Sequence, residues 1–199
     1  MYAIIGGSGL AKLSALTDTR RQVMRTPFGE PSGALTFGRF AGRDVVFLAR
    51  HGYGHTIAPH EINYRANIWA LKELQVEGII AVATVGGVRE AYGPGSLVVP
   101  DQIIDYTHGR QSTFFGGGGG AVVHVDFTQP YTERLRRMLL AASSRCGEPV
   151  FDGGVYACTQ GPRLETAAEI ERIAHDGGDL VGMTGMPEAV LAREAELDY

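Results

Sequence analysis

The feature that most constrains this chain is the grouping of its apolar residues into short, separated runs. Tyr2–Ile5, Val45–Ala49, Gly78–Ala83, Ser96–Val99, Gly153–Ala157 and Leu180–Gly182 each read as a buried strand, and none exceeds six residues. Between several of them the period changes to that of a helix. Tyr64–Leu74 sets Ile68 and Leu71, with Trp69 or Leu74, on adjoining faces of a 3.6-residue repeat. Tyr131–Ser143 and Thr166–His175 are similar, the second opened by Glu165-Thr166 as a cap. Pro187–Glu196 makes a fourth helix, with proline in the first turn, where its missing N–H is tolerated. Strands alternating with helices predict an α/β sheet covered on both faces. At 199 residues, without an internal repeat or linker, one domain is the expectation.

The net charge of −4 carries no basic stripe of the kind a phosphate backbone demands, so a nucleic-acid partner is not expected. Arg134, Arg136 and Arg137 on one helix read as a solvated face. No apolar run approaches the roughly 18 residues that span a bilayer, and the N-terminus lacks a basic region before an apolar stretch. A cytoplasmic enzyme-sized domain without a membrane partner is the expectation. Cys146 and Cys158 match neither a disulfide framework nor a metal spacing and read as core or half-buried thiols. Glycine is abundant at 28 residues, and part of the excess is the run Gly116–Gly120, expected to be a flexible loop.

Ligands of open α/β sheets bind beyond the carboxyl ends of strands, and four such ends here carry flexible, hydroxyl or cationic groups. Gly6-Gly7-Ser8-Gly9 lets successive N–H groups converge on an anion, with the Ser8 hydroxyl as a further donor, although a tight turn alone would use the same residues. It is not a Walker loop, for no Gly-Lys-Ser/Thr follows, and Lys12 stands where a dinucleotide fingerprint needs its third glycine. Arg50-His51-Gly52 offers a planar fork suited to phosphate beside a second donor. Thr84-Val85-Gly86-Gly87 and Met183-Thr184-Gly185-Met186-Pro187-Glu188 pair a hydroxyl with main-chain donors. Any one of these has a purely structural explanation. Together they describe an oxyanion pocket.

His51, His55 and His60 suggest metal ligands only superficially. Gly52, Gly54 and Pro59 forbid the helix that would align them, and of Asp, Glu and Cys only Glu61 lies near, so no metal is expected. A serine hydrolase is disfavoured because the Gly-x-Ser-x-Gly elbow is absent.

At these segments the chain resembles the purine nucleoside phosphorylase and methylthioadenosine phosphorylase family, and within it is most similar to the S-methyl-5′-thioinosine phosphorylases. The resemblance rests on Ile4-Ile5-Gly6-Gly7-Ser8-Gly9-Leu10, Leu48-Ala49-Arg50-His51-Gly52, the stretch from Asn63 to Lys72, Thr159-Gln160-Gly161-Pro162-Arg163-Leu164-Glu165-Thr166, and Gly182-Met183-Thr184-Gly185-Met186-Pro187-Glu188. It implies a central twisted mixed β-sheet flanked by helices on both faces. It also implies that Ser8, Arg50, His51, Thr84 and Thr184 hold phosphate and that Met183 lies against the ribose. His55 and His124 would sit near the 5′ end of the nucleoside, and in such enzymes one of these can come from a neighbouring subunit. Leu164 and Glu165 would meet the purine. The assembly implied is a homotrimer or a group of trimers.

The implied reaction is phosphorolysis of a nucleoside, with inorganic phosphate as co-substrate and no organic cofactor. An ionised Glu165 would accept a hydrogen bond from N1 of a 6-oxopurine and would repel the bare N1 of adenine, although it would also suit the start of a helix at Thr166. Methylthioinosine is therefore the leading substrate, with a methylthioadenosine or general purine nucleoside phosphorylase as the neighbouring alternative. Members of the family continue past the position of Tyr199 with a strand that carries a base-reading Asp or Asn and a final helix, so the 199 residues are expected to form the domain without those elements. An inactive nucleoside- or phosphate-binding protein is the alternative of another class.

Overall fold

The computed structural model describes residues 1–10, 12–116 and 120–199, so the centre of the glycine run lies outside the described residues. In chain order its elements are β1 (Tyr2–Gly6), β2 (Thr17–Gln22), β3 (Leu35–Phe40), β4 (Arg43–Ala49), α1 (Tyr64–Glu73), β5 (Ile79–Ala81), β6 (Gly86–Gly87), β7 (Leu97–Val99) and β8 (Gln102–Asp105). There follow α2 (Glu133–Cys146), β9 (Val150–Asp152), β10 (Val155–Cys158), α3 (Ala167–His175), β11 (Leu180–Gly182) and α4 (Gly185–Glu194). All six apolar runs contain a strand, and all four helical segments are helices.

The sheet is divided into three hydrogen-bonded pieces. Five strands run in the order β2-β3-β4-β1-β5, four in the order β6-β11-β10-β8, and β7 pairs with β9 alone. In the first sheet β4, β1 and β5 are parallel neighbours, while β2 and β3 are antiparallel additions at its edge. In the second, β8, β10 and β11 are parallel and β6 is antiparallel. The chain passes from one sheet to the other between β5 and β6. Thr84 lies on that crossing.

Burial explains the layering. Ala3 and Ile5 of β1, Val46 and Leu48 of β4, and Ile68, Ala70 and Leu71 of α1 join Leu191 and Ala192 of α4 in the largest core. Burying a side chain such as Leu48, Ile68 or Leu71 contributes about 1.5–3 kcal/mol. The second sheet is covered on both faces because β10 alternates. Tyr156 and Cys158 pack on Met186 and Ala189 of α4, whereas Ala157 packs with Val181 on Ile173 of α3.

Several local expectations are refined. Cys158 is buried as anticipated, but Cys146 ends α2 in an exposed position. Arg134 and Arg137 are exposed, while Arg136 keeps only 13% of its side chain open and pairs with Glu133 and Asp152. Helix α4 is irregular at Met186 and Pro187, so its regular turns begin after the proline. The α3 cap is Thr166, whose side chain accepts from the Glu169 N–H while Glu169 reaches back to the Thr166 N–H. Glu165 is therefore not the capping residue.

Candidate active site

Three of the four candidate segments leave adjacent parallel strands at the same level. Gly6 pairs with Ala49, so the glycine loop after β1 and Arg50-His51 after β4 start side by side. The Arg50 N–H donates to the Gly6 carbonyl at 2.9 Å, and the Val82 N–H donates to the Ile5 carbonyl at 2.9 Å. These bonds extend the ladder just past the strands and bring all three loops to one edge. The Thr84 hydroxyl then donates to the Ser8 carbonyl at 3.1 Å, joining the first loop to the third. Ser8 and Thr84 are exposed at this edge.

Arg50 lies beneath them and is 1% exposed. Its Nη1 donates to the Val82 carbonyl at 3.0 Å, and its Nε and Nη2 donate to the two carboxylate oxygens of Glu188 at 2.7 and 2.9 Å. A methyl group on Gly7 would stand 2.8 Å from both Arg50 Nη1 and the Val82 oxygen. Glycine is required there because the loop backbone rests on the guanidinium. Burial alone would disfavour the cation, but the Glu188 carboxylate outweighs it and raises the Arg50 pKa. Glu188, itself fully buried, also accepts from the Tyr199 hydroxyl at 2.9 Å.

His51 is 7% exposed, and its Nδ1 lies 2.8 Å from the Ile57 carbonyl. A carbonyl only accepts, so Nδ1 carries the proton and Nε2 presents a lone pair while the ring is neutral. Burial, together with the charge of Arg50, lowers the His51 pKa and keeps it neutral at pH 7. The expectation that His51 adds a donor is thereby corrected for the neutral ring, whose free nitrogen accepts. The His55 ring lies tilted against that of His51, centroids 4.5 Å apart, and His55 lines a cavity of about 510 Å³ with Ser8, Gly9 and Lys12.

The fourth segment comes from the second sheet. Thr184 is buried after β11, its N–H donating to the Tyr156 hydroxyl at 3.3 Å. The Arg50–Glu188 pair carries this segment to the other three. Glu165 and Met183 each lie against the loop that follows β10. The Thr159 hydroxyl donates to Glu165 Oε1 at 2.6 Å, and Met183 Sδ occupies the space where a side chain on Gly161 would begin. Leu164 remains 78% exposed and His124 is exposed, and neither side chain is hydrogen-bonded to another candidate residue among the described residues.

Two residues that organise the site drew no separate interest from the sequence. Glu188 was visible only as part of a motif. Arg110, in the loop after β8, donates from Nη1 to the Met183 and Met186 carbonyls at 2.8 and 2.6 Å and from Nη2 to the Gln160 carbonyl at 2.8 Å. It thus clamps the two loops that frame Glu165 and Met183. An arginine between polar residues gives no periodic signal, so only the folded geometry reveals it. Burial pushes the Cys158 thiol up to about 12, which rules it out as a nucleophile near neutral pH. Among the described residues there is no group of three His, Cys, Asp or Glu side chains able to hold a metal, and no helix long and apolar enough to cross a membrane.

Residues 1–199 match the model of the phosphorylase superfamily along their whole length. A protein of Pseudomonas syringae pv. tomato named probable S-methyl-5′-thioinosine phosphorylase is 56% identical over all 199 residues, which span 81% of that relative. The 6-oxopurine nucleoside phosphorylase of Pyrococcus furiosus is 50% identical over 202 aligned positions, covering 99% of this chain and 75% of the relative. The apo structure of methylthioadenosine phosphorylase from Schistosoma mansoni superposes with a TM-score of 0.95 at 36% identity, covering 100% of this chain and 77% of its own.

Proposed function

The chain belongs to the phosphorylase superfamily, and on that premise we propose that it cleaves the N-glycosidic bond of a 6-oxopurine nucleoside with inorganic phosphate. The leading substrate is S-methyl-5′-thioinosine, yielding hypoxanthine and 5-methylthioribose 1-phosphate. The observation that carries this reading is the meeting of Ser8, Arg50, His51 and Thr84 at one edge of three adjacent parallel strands. Residues 1–199 act as one phosphorylase domain in this reading, within a cytoplasmic homotrimer. Small molecules are its partners, without nucleic acid, membrane or organic cofactor.

Phosphate sits at the exposed tips, where the Ser8 hydroxyl and the glycine-loop amides donate and the Thr84 hydroxyl turns its one hydrogen from the Ser8 carbonyl to the anion, with Thr184 closing the cage from the second sheet. Arg50, paired with Glu188, presents its remaining guanidinium N–H groups from below. His51 Nε2 accepts the hydrogen of a protonated phosphate oxygen, which directs the ionised oxygens toward the donors and the sugar. As the glycosidic bond breaks, its electron pair leaves with the purine nitrogen and C1′ gains positive character that the phosphate anion stabilises before an oxygen bonds to it; the proton given up by the phosphate balances the charge on the base, which departs as neutral hypoxanthine. The work is positioning and electrostatics, without a covalent enzyme intermediate.

On the nucleoside side Met183 packs against the ribose, His55 and His124 serve the 5′ end, and Leu164 with Glu165 meets the base. Because Thr159 satisfies Glu165 Oε1, the second oxygen is available to a purine N1–H. Adenine offers no such hydrogen. Hypoxanthine release from methylthioinosine, followed with and without phosphate, tests the proposal. Release that depends on phosphate is expected. Phosphate-independent release would indicate a hydrolase, and binding without release an inactive binding protein. Glu165→Gln is expected to lower kcat/KM for methylthioinosine roughly 10–100-fold and to spare methylthioadenosine, as loss of one charge-assisted hydrogen bond implies. An unchanged ratio of the two substrates would remove the case for a 6-oxopurine.

A further inference from the structure

The buried acid beside the phosphate edge has no part in the scheme above, and its geometry assigns it one. We propose that Glu188 is a positioning residue for phosphate, acting through Arg50, with Tyr199 holding it in turn. The proposal rests on the reading of Arg50 as a phosphate-site cation.

A guanidinium has five N–H donors. Glu188 takes two from the Nε/Nη2 edge and the Val82 carbonyl takes one from Nη1, leaving one hydrogen on each terminal nitrogen. Nη1 lies under Gly7, so the end of the fork is aimed at the glycine loop between Ser8 and Thr84. An arginine side chain free to rotate would hold no such aim. The bidentate Glu188 contact sets both the roll of the plane and its depth. The carboxylate is fixed too, because the Tyr199 hydroxyl bonds Oε1 while the Tyr199 N–H and carbonyl are bonded to Thr132 at 3.1 and 2.8 Å.

The pair also joins the two sheets. Arg50 extends from β4 in the first, and Glu188 begins the regular turns of α4 after β11 in the second. Phosphate affinity is therefore set in part by a residue that never touches phosphate. The charge is balanced as well as oriented, so an incoming anion meets the fixed donors of the fork without an excess cation left buried when it departs.

The test measures KM for phosphate and for nucleoside separately in four forms of the full chain: the unaltered protein, Glu188→Gln, Tyr199→Phe and Arg50→Lys. Glu188→Gln keeps the shape but sets an amide N–H₂ against one guanidinium N–H. It is expected to raise the phosphate KM by roughly 10-fold or more, with the nucleoside KM changed less than about 2-fold, as loss of one charged partner implies. Tyr199→Phe removes a single bond to Glu188 and is expected to raise the phosphate KM about 2–5-fold, since that bond bears on phosphate only indirectly, through Glu188 and Arg50.

A merely structural role for Glu188 would lower the melting temperature and the active fraction while leaving both KM values in place, and that result overturns the inference. If Glu188→Gln fails to fold, Tyr199→Phe decides alone, an unchanged phosphate KM counting against the proposal. Arg50→Lys separates the two levels. If it leaves the phosphate KM unchanged, the phosphate reading itself fails. If it raises that KM while the other two variants do not, only the positioning role is lost.

Discussion

At the scale of single residues, the decisive chemistry is which atom is left free after the protein has satisfied the others. His51 illustrates it. The Ile57 carbonyl consumes its only hydrogen, so the neutral ring faces the site as an acceptor. Its pKa is lowered in the fold, chiefly by burial and also by Arg50. The unfolded chain, with an ordinary histidine pKa, then binds the proton more readily than the native state. The associated stability is complete above about pH 6.5 and is lost as pH falls from there through the lowered folded value. Thermal unfolding measured between pH 8 and 5 is expected to show this loss, and His51→Asn is expected to flatten the slope over that range. An identical slope in the variant would assign the loss to other groups. The sequence identified the residue type and the loop. It did not disclose the tautomer, because that depends on a carbonyl six residues away.

At the scale of elements, strands built from continuous apolar runs were legible, while β3, which sends Leu35 and Phe37 into the core between Thr36 and Gly38, and the polar β2 were not. The β1, β4 and β11 runs advertise themselves because their residues must leave water. Strand β2 does not. All six of its residues are exposed, and Thr-Asp-Thr-Arg-Arg-Gln has no apolar alternation. It is held by its ladder to β3 and by Arg20 lying 4.2 Å over the Phe37 ring. The sequence shows helix α3 but leaves its start open between Glu165 and Thr166. The reciprocal bonds of Thr166 and Glu169 settle that choice and free Glu165 for the site. Arg163 pairs with Glu169 and, with the Thr166 N–H, holds its carboxyl down to about 2. Thr166→Ala is expected to destabilise the protein by about 1 kcal/mol, as for other lost N-caps, measurable by denaturant unfolding. No change would mean that the Arg163 pair alone anchors the helix start.

At the scale of the whole molecule, the candidate site spans both sheets, and long-range contacts that no local pattern encodes align its halves. Arg110 is the clearest case. From one loop it reaches the carbonyls of Gln160, Met183 and Met186, which lie after two different strands. Arg110→Lys cannot hold all three carbonyls with one ammonium, so nucleoside kcat/KM is expected to fall by roughly 10-fold or more while phosphate KM changes little. Equal effects on the two substrates would show that the clamp supports the fold at large. The motifs and their order are legible in the sequence, but the tie between them depends on a residue outside every motif.

The split between sheets has a practical consequence. Ser8, Arg50 and His51 leave strands of the first sheet, whereas Glu165 and Met183 belong to loops of the second. On the proposed roles, selection or redesign can exchange the half that meets the nucleobase as a cassette while the half that meets phosphate stays constant. The stretch from Thr184 to Glu188, which serves both, is the seam that such a graft must leave intact.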